Sequence, residues 1–219
     1  MSSGQDRRAR LAAARLYFVA DRAGLAHALG GALAGGADLV QLRDKDATDD
    51  ELLEAAAWIR ERCTAAGALF IVNDRPDLAV AAGADGVHVG QDDIPVAEAR
   101  AVVGDDAIVG LSTHSIEQAD AGARSGADYI AVGPVHATPT KQGRPAIGLD
   151  PVRHAAADVA LPWFAIGGID ARTAGAVADA GATRLVIVRA IAHAADPEAA
   201  TLELRSALDA RAVGAHGAA

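Results

Sequence analysis

The sequence predicts a single, compact (β/α)8 barrel whose active site lies at the carboxyl ends of the strands. Eight short apolar runs alternate with alanine-rich helical segments, as expected for repeated strand-helix units in a parallel barrel. The phrase Gly-Ala-Asp occurs at 36–38, 83–85 and 126–128, each time just before an apolar run, where a glycine can end the preceding helix in a left-handed conformation. An open doubly wound sheet is the alternative, but the even spacing and the absence of a Gly-x-Gly-x-x-Gly turn disfavour it.

The apolar runs and helical periodicity assign the elements of this barrel. Strands are predicted at 16–20, 38–42, 69–72, 86–89, 108–111, 129–133, 163–166 and 184–188. Helices are predicted between them, among others at 49–66, 95–103, 115–125, 151–157 and 171–180. Residues 1–14 are polar and basic and are expected to form a flexible leader, 15–209 the catalytic barrel, and 210–219 a disordered tail.

Composition excludes several classes of protein. No apolar run approaches the ~18 residues of a membrane span, and the start of the chain lacks the apolar region of a signal peptide. We therefore expect a cytoplasmic protein that does not enter a membrane. The formal net charge of −9 argues against nucleic-acid binding, which needs a basic surface. A basic pocket within an acidic protein suits a small anionic ligand.

The single cysteine, Cys63, rules out an internal disulfide. It falls in helical register with Leu52, Ala56 and Ile59, so we interpret it as a buried structural thiol and not as a nucleophile.

Polar residues follow the second apolar run and predict a binding site there. Gln41 and Arg43 alternate with Leu42 and therefore point to the same side of the strand, with Lys45 just beyond. Burying glutamine and arginine inside a barrel is costly unless a polar or anionic partner compensates. The alternative is an arginine-carboxylate pair that closes the barrel floor.

Two carboxylates follow neighbouring strands and predict a metal site. Asp74 and Asp93 can share one Mg²⁺, which prefers oxygen ligands and leaves room for water and phosphate oxygens. The alternative is that both are helix N-caps, a role better suited to Asp92. His88, between two glycines on the fourth strand, is interpreted as a core histidine with satisfied hydrogen bonds.

The interval 136–148 is the longest interruption of the pattern, and its loop-like composition is typical of a lid. Thr138, Thr140 and Lys141 within it offer two hydroxyls and an ammonium to a phosphate. Gly167-Gly168 and Val188-Arg189 end the seventh and eighth strands, the usual phosphate site of this fold. The glycine pair can equally serve as a tight turn.

The ordered set of motifs resembles thiamine-phosphate synthase over about residues 16–197. The set comprises Gln-Leu-Arg-x-Lys at 41–45, Asn-Asp-Arg at 73–75, Gly-Val-His-Val-Gly-Gln-x-Asp at 86–93, Gly-Pro-Val at 133–135, Thr-x-Thr-Lys at 138–141 and Ile-Gly-Gly-Ile at 166–169. The resemblance implies a Mg²⁺-dependent condensation of hydroxymethylpyrimidine diphosphate with a thiazole phosphate, carboxylated or not, to give thiamine phosphate and pyrophosphate.

The resemblance also implies a role for each matching residue. Asp74 and Asp93 would bind Mg²⁺, and Arg43, Lys45, Ser112 and Lys141 would act in catalysis. Substrate contacts are implied for Gln41, Leu42, Arg43, Asp44, Lys45, Asn73, Ser112, Thr138, Pro139, Thr140, Lys141, Gly168, Val188 and Arg189.

Two positions depart from the family pattern. Arg189 stands where a serine is common, so the contact to the thiazole phosphate passes to a guanidinium or a backbone amide. His136 replaces an aromatic residue, and we interpret it as seating the loop.

Competing functions remain open on the sequence alone. A thiazole tautomerase on the same barrel would not need the complete diphosphate and metal set. A phosphosugar epimerase would need a pair of proton-transfer acids. A non-catalytic sensor of phosphorylated metabolites would be expected to lack metal or diphosphate residues. Similarity to the family makes a homodimer the expected assembly.

Overall fold

The strands close into one parallel barrel, in the order β1 to β8 with β8 pairing back to β1. A computed structural model of the chain describes residues 3–138 and 145–216, with side chains up to residue 210. The strands are β1 (Leu16–Ala20), β2 (Leu39–Leu42), β3 (Leu69–Asn73), β4 (Gly86–Val89), β5 (Ile108–Thr113), β6 (Tyr129–Val132), β7 (Trp163–Ile166) and β8 (Leu185–Ile187).

Helices surround this barrel and precede it. They are α1 (Gly4–Ala13), α2 (Arg22–Ala34), α3 (Asp49–Ala66), α4 (Pro76–Ala81), α5 (Val96–Val103), α6 (Ile116–Ala123), α7 (Asp150–Asp158), α8 (Ala174–Asp179), α9 (Arg189–Ala192) and α10 (Pro197–His216). Among the described residues, no helix combines the length and the apolar character that crossing a membrane requires.

The predicted barrel is confirmed, and most element boundaries agree within two residues. Helix α3 spans the predicted residues because Thr48 and Glu51 form a reciprocal capping box at its start, and Gly67 ends it with φ 73°. Helix α8 begins at Ala174, three residues later than predicted, and β5 continues two residues further, to Thr113. Ser112 is therefore held by the strand itself and not by the loop that follows.

The apolar residues divide into two layers. Inside the barrel, Tyr17, Tyr129 and Phe164 pack edge to face, with ring centroids 5.6–5.9 Å apart. Between strands and helices lies a larger cluster that includes Leu42, Ile59 and Cys63. Because successive side chains of a strand point to opposite faces, each strand contributes residues to both layers.

The prediction of a flexible leader over residues 1–14 is wrong for its described part. Residues Gly4–Ala13 form α1, and Leu11 is 1% exposed within the cluster inside the barrel. Arg7 is 8% exposed, and its Nε donates to the Asp85 carboxylate at 2.9 Å. The Arg8 Nε donates to Asp128 at 2.7 Å. Helix α1 thus covers the amino-terminal end of the barrel.

The Gly-Ala-Asp repeats supply the carboxylates at this end. Their glycines have φ of 92°, 61° and 86°, which confirms the left-handed conformation expected after a helix. Each aspartate then accepts a hydrogen bond from a backbone N–H of the neighbouring strand. Asp38 accepts from Leu16 at 2.9 Å, Asp85 from Phe70 at 3.0 Å, and Asp128 from Val109 at 2.8 Å. The repeat therefore joins neighbouring strands, and two of its carboxylates, Asp85 and Asp128, also anchor α1.

The tail also differs from the prediction. Helix α10 continues through the expected boundary at residue 210 and ends at His216. The tail prediction for 217–219 lies outside the described residues.

Cys63 is expected to resist alkylation in the folded protein. It is buried on α3, and burial, with a smaller contribution from Asp85, raises the pKa of its thiol to about 12. Because the thiolate is the reactive form, iodoacetamide at neutral pH should label Cys63 only after unfolding. Mass spectrometry of native and urea-treated protein checks this, and rapid labelling of the native protein would contradict the assignment.

Candidate active site

A cavity of about 910 Å³ opens at the carboxyl ends of the strands. This is the end at which barrels of this fold place their ligand sites. Half of the sixteen residues predicted for the site contribute to its lining. These are Gln41, Arg43, Asn73, Ser112, Thr138, Gly168, Val188 and Arg189.

Arg43 follows β2 and faces the cavity. Within residues 3–138 and 145–210, no carboxylate pairs with its guanidinium. The alternative of an arginine-carboxylate pair closing the floor is therefore not supported, and the floor is closed instead by α1. A guanidinium with five N–H donors that faces a cavity in this way is suited to an anion.

Asp74 and Asp93 lie together, as predicted, but neither they nor Lys45 belong to the cavity lining, which Asn73 joins just before Asp74. Their carboxyl groups are within hydrogen-bonding contact, and burial, followed by the Asp93 carboxyl, raises the pKa of Asp74. Lys45 Nζ lies 3.2 Å from Asp74 Oδ2 and opposes that rise. Two carboxyl groups placed side by side repel each other when ionised, so the pair favours an additional cation.

The backbone supports a special role for Asp74. Its φ is 60°, a left-handed conformation that few residues other than glycine adopt. The N-cap position of α4 belongs to Arg75, and that of α5 to Pro95. The helix-capping alternative for Asp74 and Asp93 is therefore wrong. The Asp93 Oδ2 accepts the Gly90 N–H at 2.7 Å instead, which fixes one carboxylate oxygen beside the strand end.

Ser112 and His88 lie at the bottom of the cavity. His88 Nε2 is 2.9 Å from Ser112 Oγ, and His88 Nδ1 is 2.9 Å from the Tyr129 hydroxyl. The prediction of a core histidine with satisfied hydrogen bonds is thus confirmed, although His88 also reaches the cavity lining.

The opposite wall is made by the ends of β7 and β8. Gly167 and Gly168 have φ of 103° and 64°, and an added Cβ at Gly168 would lie 2.7 Å from the His136 Cβ. Glycine is therefore required there both for conformation and for close packing. The His136 backbone N–H donates to the Gly167 carbonyl at 2.9 Å, and its buried Nε2 has no hydrogen-bond partner among the described residues. That the His136 side chain seats the loop stays a prediction.

The sequence of the chain is similar to those of known proteins. The family model described as thiamine monophosphate synthase matches residues 16–191. A thiamine-phosphate synthase of Thermobifida fusca is 52% identical over 94% of this chain and 97% of its own length. The chain belongs to the thiamine-phosphate synthase family.

Further members of this family differ in total length. The thiamine-phosphate synthase of Gloeobacter violaceus is 52% identical over 90% of this chain, but the match spans only 58% of that relative. Among solved structures, the thiamine phosphate pyrophosphorylase of Pyrococcus furiosus is 34% identical, with a TM-score of 0.83 over 93% of this chain and 98% of that one.

Some residues implied by the resemblance to thiamine-phosphate synthase are not brought to the cavity. Leu42 packs in the outer core, because it alternates with Gln41 and Arg43 on β2. The Asp44 carboxylate accepts a hydrogen bond from Arg22 Nε at 2.9 Å, which ties the β2 end to α2. Pro139, Thr140 and Lys141, with residues 142–144 of the predicted lid, lie outside the described residues.

Tyr17, Tyr129 and Arg172 are at or next to the site but were not singled out from the sequence. Tyr17 and His88 line the cavity, and Tyr129 connects them by hydrogen bonds. Arg172 also lines the cavity, with its guanidinium 2.9 Å from the Asp170 carboxylate. The two tyrosines could have been identified from the sequence, because each lies within an apolar strand, where its buried hydroxyl needs a hydrogen-bond partner.

Proposed function

We propose that the chain condenses hydroxymethylpyrimidine diphosphate with a thiazole phosphate in the cavity at the strand ends, giving thiamine phosphate and pyrophosphate. The observation that supports this most strongly is the contact between the Asp74 and Asp93 carboxyl groups, next in sequence to the cavity-lining Asn73, together with Arg43 in the cavity lining. A carboxylate pair suited to a cation and a guanidinium facing the cavity are the complementary halves of a metal-diphosphate site.

Magnesium fits the donor set of Asp74 and Asp93. Both ligands are oxygen donors, which Mg²⁺ prefers, and two protein carboxylates leave positions for water and for substrate oxygens. No group of three or more metal-ligating side chains occurs in the part of the chain that the structure describes, consistent with a metal held partly by substrate. When bound, Mg²⁺ would offset negative charge on the departing pyrophosphate.

The residues on the β2, β3 and β5 side would hold the pyrimidine diphosphate. Arg43 and Lys45 would donate to its phosphate oxygens and stabilise the charge that grows as the bond between the methylene carbon and oxygen breaks. That bond's electron pair leaves with pyrophosphate. Gln41, Asn73 and Ser112 would orient the pyrimidine ring, and Lys141 is proposed as a further donor to the diphosphate.

The β7 and β8 side would hold the thiazole phosphate. Gly168, Val188 and Arg189 line the cavity on this side. The backbone amide of Gly168 and the Val188-Arg189 strand end are proposed as phosphate contacts, with Thr138 and Thr140 as hydroxyl donors. The thiazole nitrogen then forms the new carbon-nitrogen bond with its lone pair. Since that nitrogen has no proton to lose, the step needs no general base.

Gly168→Ala is expected to raise the KM for the thiazole phosphate about tenfold and to change the KM for the pyrimidine diphosphate much less. The added methyl group would lie 2.7 Å from the His136 Cβ, and the φ of 64° at this proposed phosphate contact is unfavourable for alanine. Steady-state kinetics with each substrate varied in turn measures this.

Gly67→Ala is the matched control for the glycine substitution. Gly67 has φ 73° but nothing within 4 Å of an added Cβ, and it lies at the end of α3. This variant should lose stability without a change in either KM. Equal KM effects of both substitutions would contradict the assignment of Gly168.

A product assay tests the proposed reaction. Purified protein is mixed with both substrates in the presence of Mg²⁺ or of EDTA, and thiamine phosphate and pyrophosphate are quantified. Equimolar, Mg²⁺-dependent formation of both supports the proposal. Isomerised thiazole phosphate without condensation would assign the chain to the tautomerase instead, and ligand binding without turnover would assign it to the sensor. The homodimer and the cytoplasmic location stay predictions.

A further inference from the structure

Five buried polar side chains form a continuous hydrogen-bonded chain beneath the cavity. Gln41 Nε2 donates to the Tyr17 hydroxyl, which lies 2.9 Å from the Tyr129 hydroxyl. Tyr129 reaches His88 Nδ1 at 2.9 Å, and His88 Nε2 reaches Ser112 Oγ at 2.9 Å. The chain therefore begins and ends at residues that line the cavity.

Counting the hydrogen-bond donors assigns a donor-to-acceptor direction to this series of hydrogen bonds. Tyr17 accepts from the Gln41 amide, so its single O–H donates to Tyr129. Tyr129 in turn has its O–H left for His88 Nδ1. A neutral imidazole with Nδ1 as acceptor carries its proton on Nε2, and this N–H donates to Ser112. The Ser112 O–H is then left to donate into the cavity.

Burial and ring packing hold these five hydrogen-bonded side chains in place. All five side chains are at most 7% exposed, and His88 stacks on the Tyr129 ring with centroids 5.5 Å apart. Tyr129 also lies directly over Gly110 of β5, where an added Cβ would come within 2.1 Å of the phenol ring. Burial raises the pKa of both Tyr17 and Tyr129, so both phenols remain neutral donors.

We propose that His88 is a positioning residue whose Nε2–H tautomer, set by Tyr129, orients the Ser112 hydroxyl as a hydrogen-bond donor toward the bound pyrimidine. The inference rests on the proposed function for the identity of the ligand. It assigns a role to three residues that would not themselves undergo chemistry: Tyr17, Tyr129 and His88.

The polarity at the two ends suits an aminopyrimidine. At one end the Ser112 O–H can donate to a ring nitrogen, which is an acceptor. At the other end the amide oxygen of Gln41, which has no protein partner among the described residues, can accept from the exocyclic amino group. Because one series of hydrogen bonds orients both residues, the Ser112 donor and the Gln41 acceptor are positioned relative to each other before the ligand binds.

The tautomer of His88 is measured directly by ¹⁵N NMR of the full chain labelled at its 7 histidines, with the His88 signals assigned from a His88→Gln spectrum. The ligand-free protein should show the Nε2–H tautomer. Tyr129→Phe should lose this preference, whereas Tyr17→Phe should keep it, because Tyr129 then still donates to Nδ1. An Nδ1–H tautomer in the unaltered protein would overturn the proposal.

Kinetics then tests whether the orientation matters for turnover. Tyr129→Phe is expected to lower kcat about tenfold, the effect of one lost hydrogen bond in the transition state. Thr113→Val is the control, since the buried Thr113 hydroxyl donates to the Ala131 carbonyl and is not part of the chain. It should cost stability and leave kcat unchanged. Equal kcat for the two variants would overturn the proposal.

A second pair of variants covers the case in which Tyr129→Phe does not fold. Glutamine at position 88 can still accept with its oxygen and donate with its nitrogen, whereas leucine can do neither. His88→Gln should therefore retain more kcat than His88→Leu at comparable melting temperatures, and equal losses would overturn the proposal. Failure of the unaltered protein to form thiamine phosphate, with the expected tautomer present, would instead reject the proposed function.

Discussion

Asp93→Asn is expected to lower kcat/KM by about 10²–10³-fold, the size of effect found when one charge-stabilising group is removed from an active site. The substitution keeps the shape of the side chain and its acceptor for the Gly90 N–H, but removes half of the paired negative charge that attracts a cation. Asp74→Asn should have a similar effect, since the two carboxyl groups are in contact. Activity measured over a range of Mg²⁺ concentrations should show partial recovery at high metal.

Asp92→Asn is the matched control for this pair. Asp92 is the adjacent carboxylate and is exposed like Asp93, so its loss changes the net charge equally without altering the proposed ligands. Its kcat/KM and Mg²⁺ dependence should stay near those of the unaltered protein. If Asp92→Asn and Asp93→Asn lose activity equally, a general charge effect explains the loss, and the carboxylate pair is not a metal site.

Leu11→Ala is expected to lower the free energy of unfolding by about 2–5 kcal/mol. Leu11 is 1% exposed and belongs to the apolar cluster inside the barrel, so its removal leaves a cavity at the amino-terminal end. Urea denaturation followed by circular dichroism measures the change, read from the midpoint at an unchanged slope.

Leu202→Ala provides the same chemical change at an exposed site. Leu202 on α10 is 48% exposed, and a surface substitution of this kind should change the free energy of unfolding by about 0.5 kcal/mol or less. Equal destabilisation by the two variants would show that α1 does not contribute to the barrel core.

Helix α1 escaped sequence prediction because its buried face is not apolar. The residues that face the barrel are Gly4, Arg7 and Leu11, which have helical spacing but include only one large hydrophobic side chain. Arg7 is buried because Asp85 compensates it, and Asp85 is far away in sequence. Periodicity identified the strands and outer helices because they bury apolar residues at regular intervals.

The site was predictable where chemistry follows directly after a strand. Asp74, Asp93 and Arg43 follow strand ends, and parallel strands bring those ends to one face. The Tyr17–Tyr129 contact was not predictable, because it joins residues from β1 and β6 that meet only when the barrel closes. Leu42 and Asp44 show the opposite error: adjacency to Arg43 in a motif does not place neighbouring side chains on the same side of a strand.

A crystal structure with Mn²⁺ and pyrophosphate would show whether the carboxylate pair and Arg43 form one metal-diphosphate site. Mn²⁺ accepts the oxygen ligands that suit Mg²⁺ and is located by anomalous scattering. We expect an anomalous peak in contact with both Asp74 and Asp93, and pyrophosphate oxygens bound by Arg43. A metal that contacts neither carboxylate, or pyrophosphate bound away from Arg43, would contradict it.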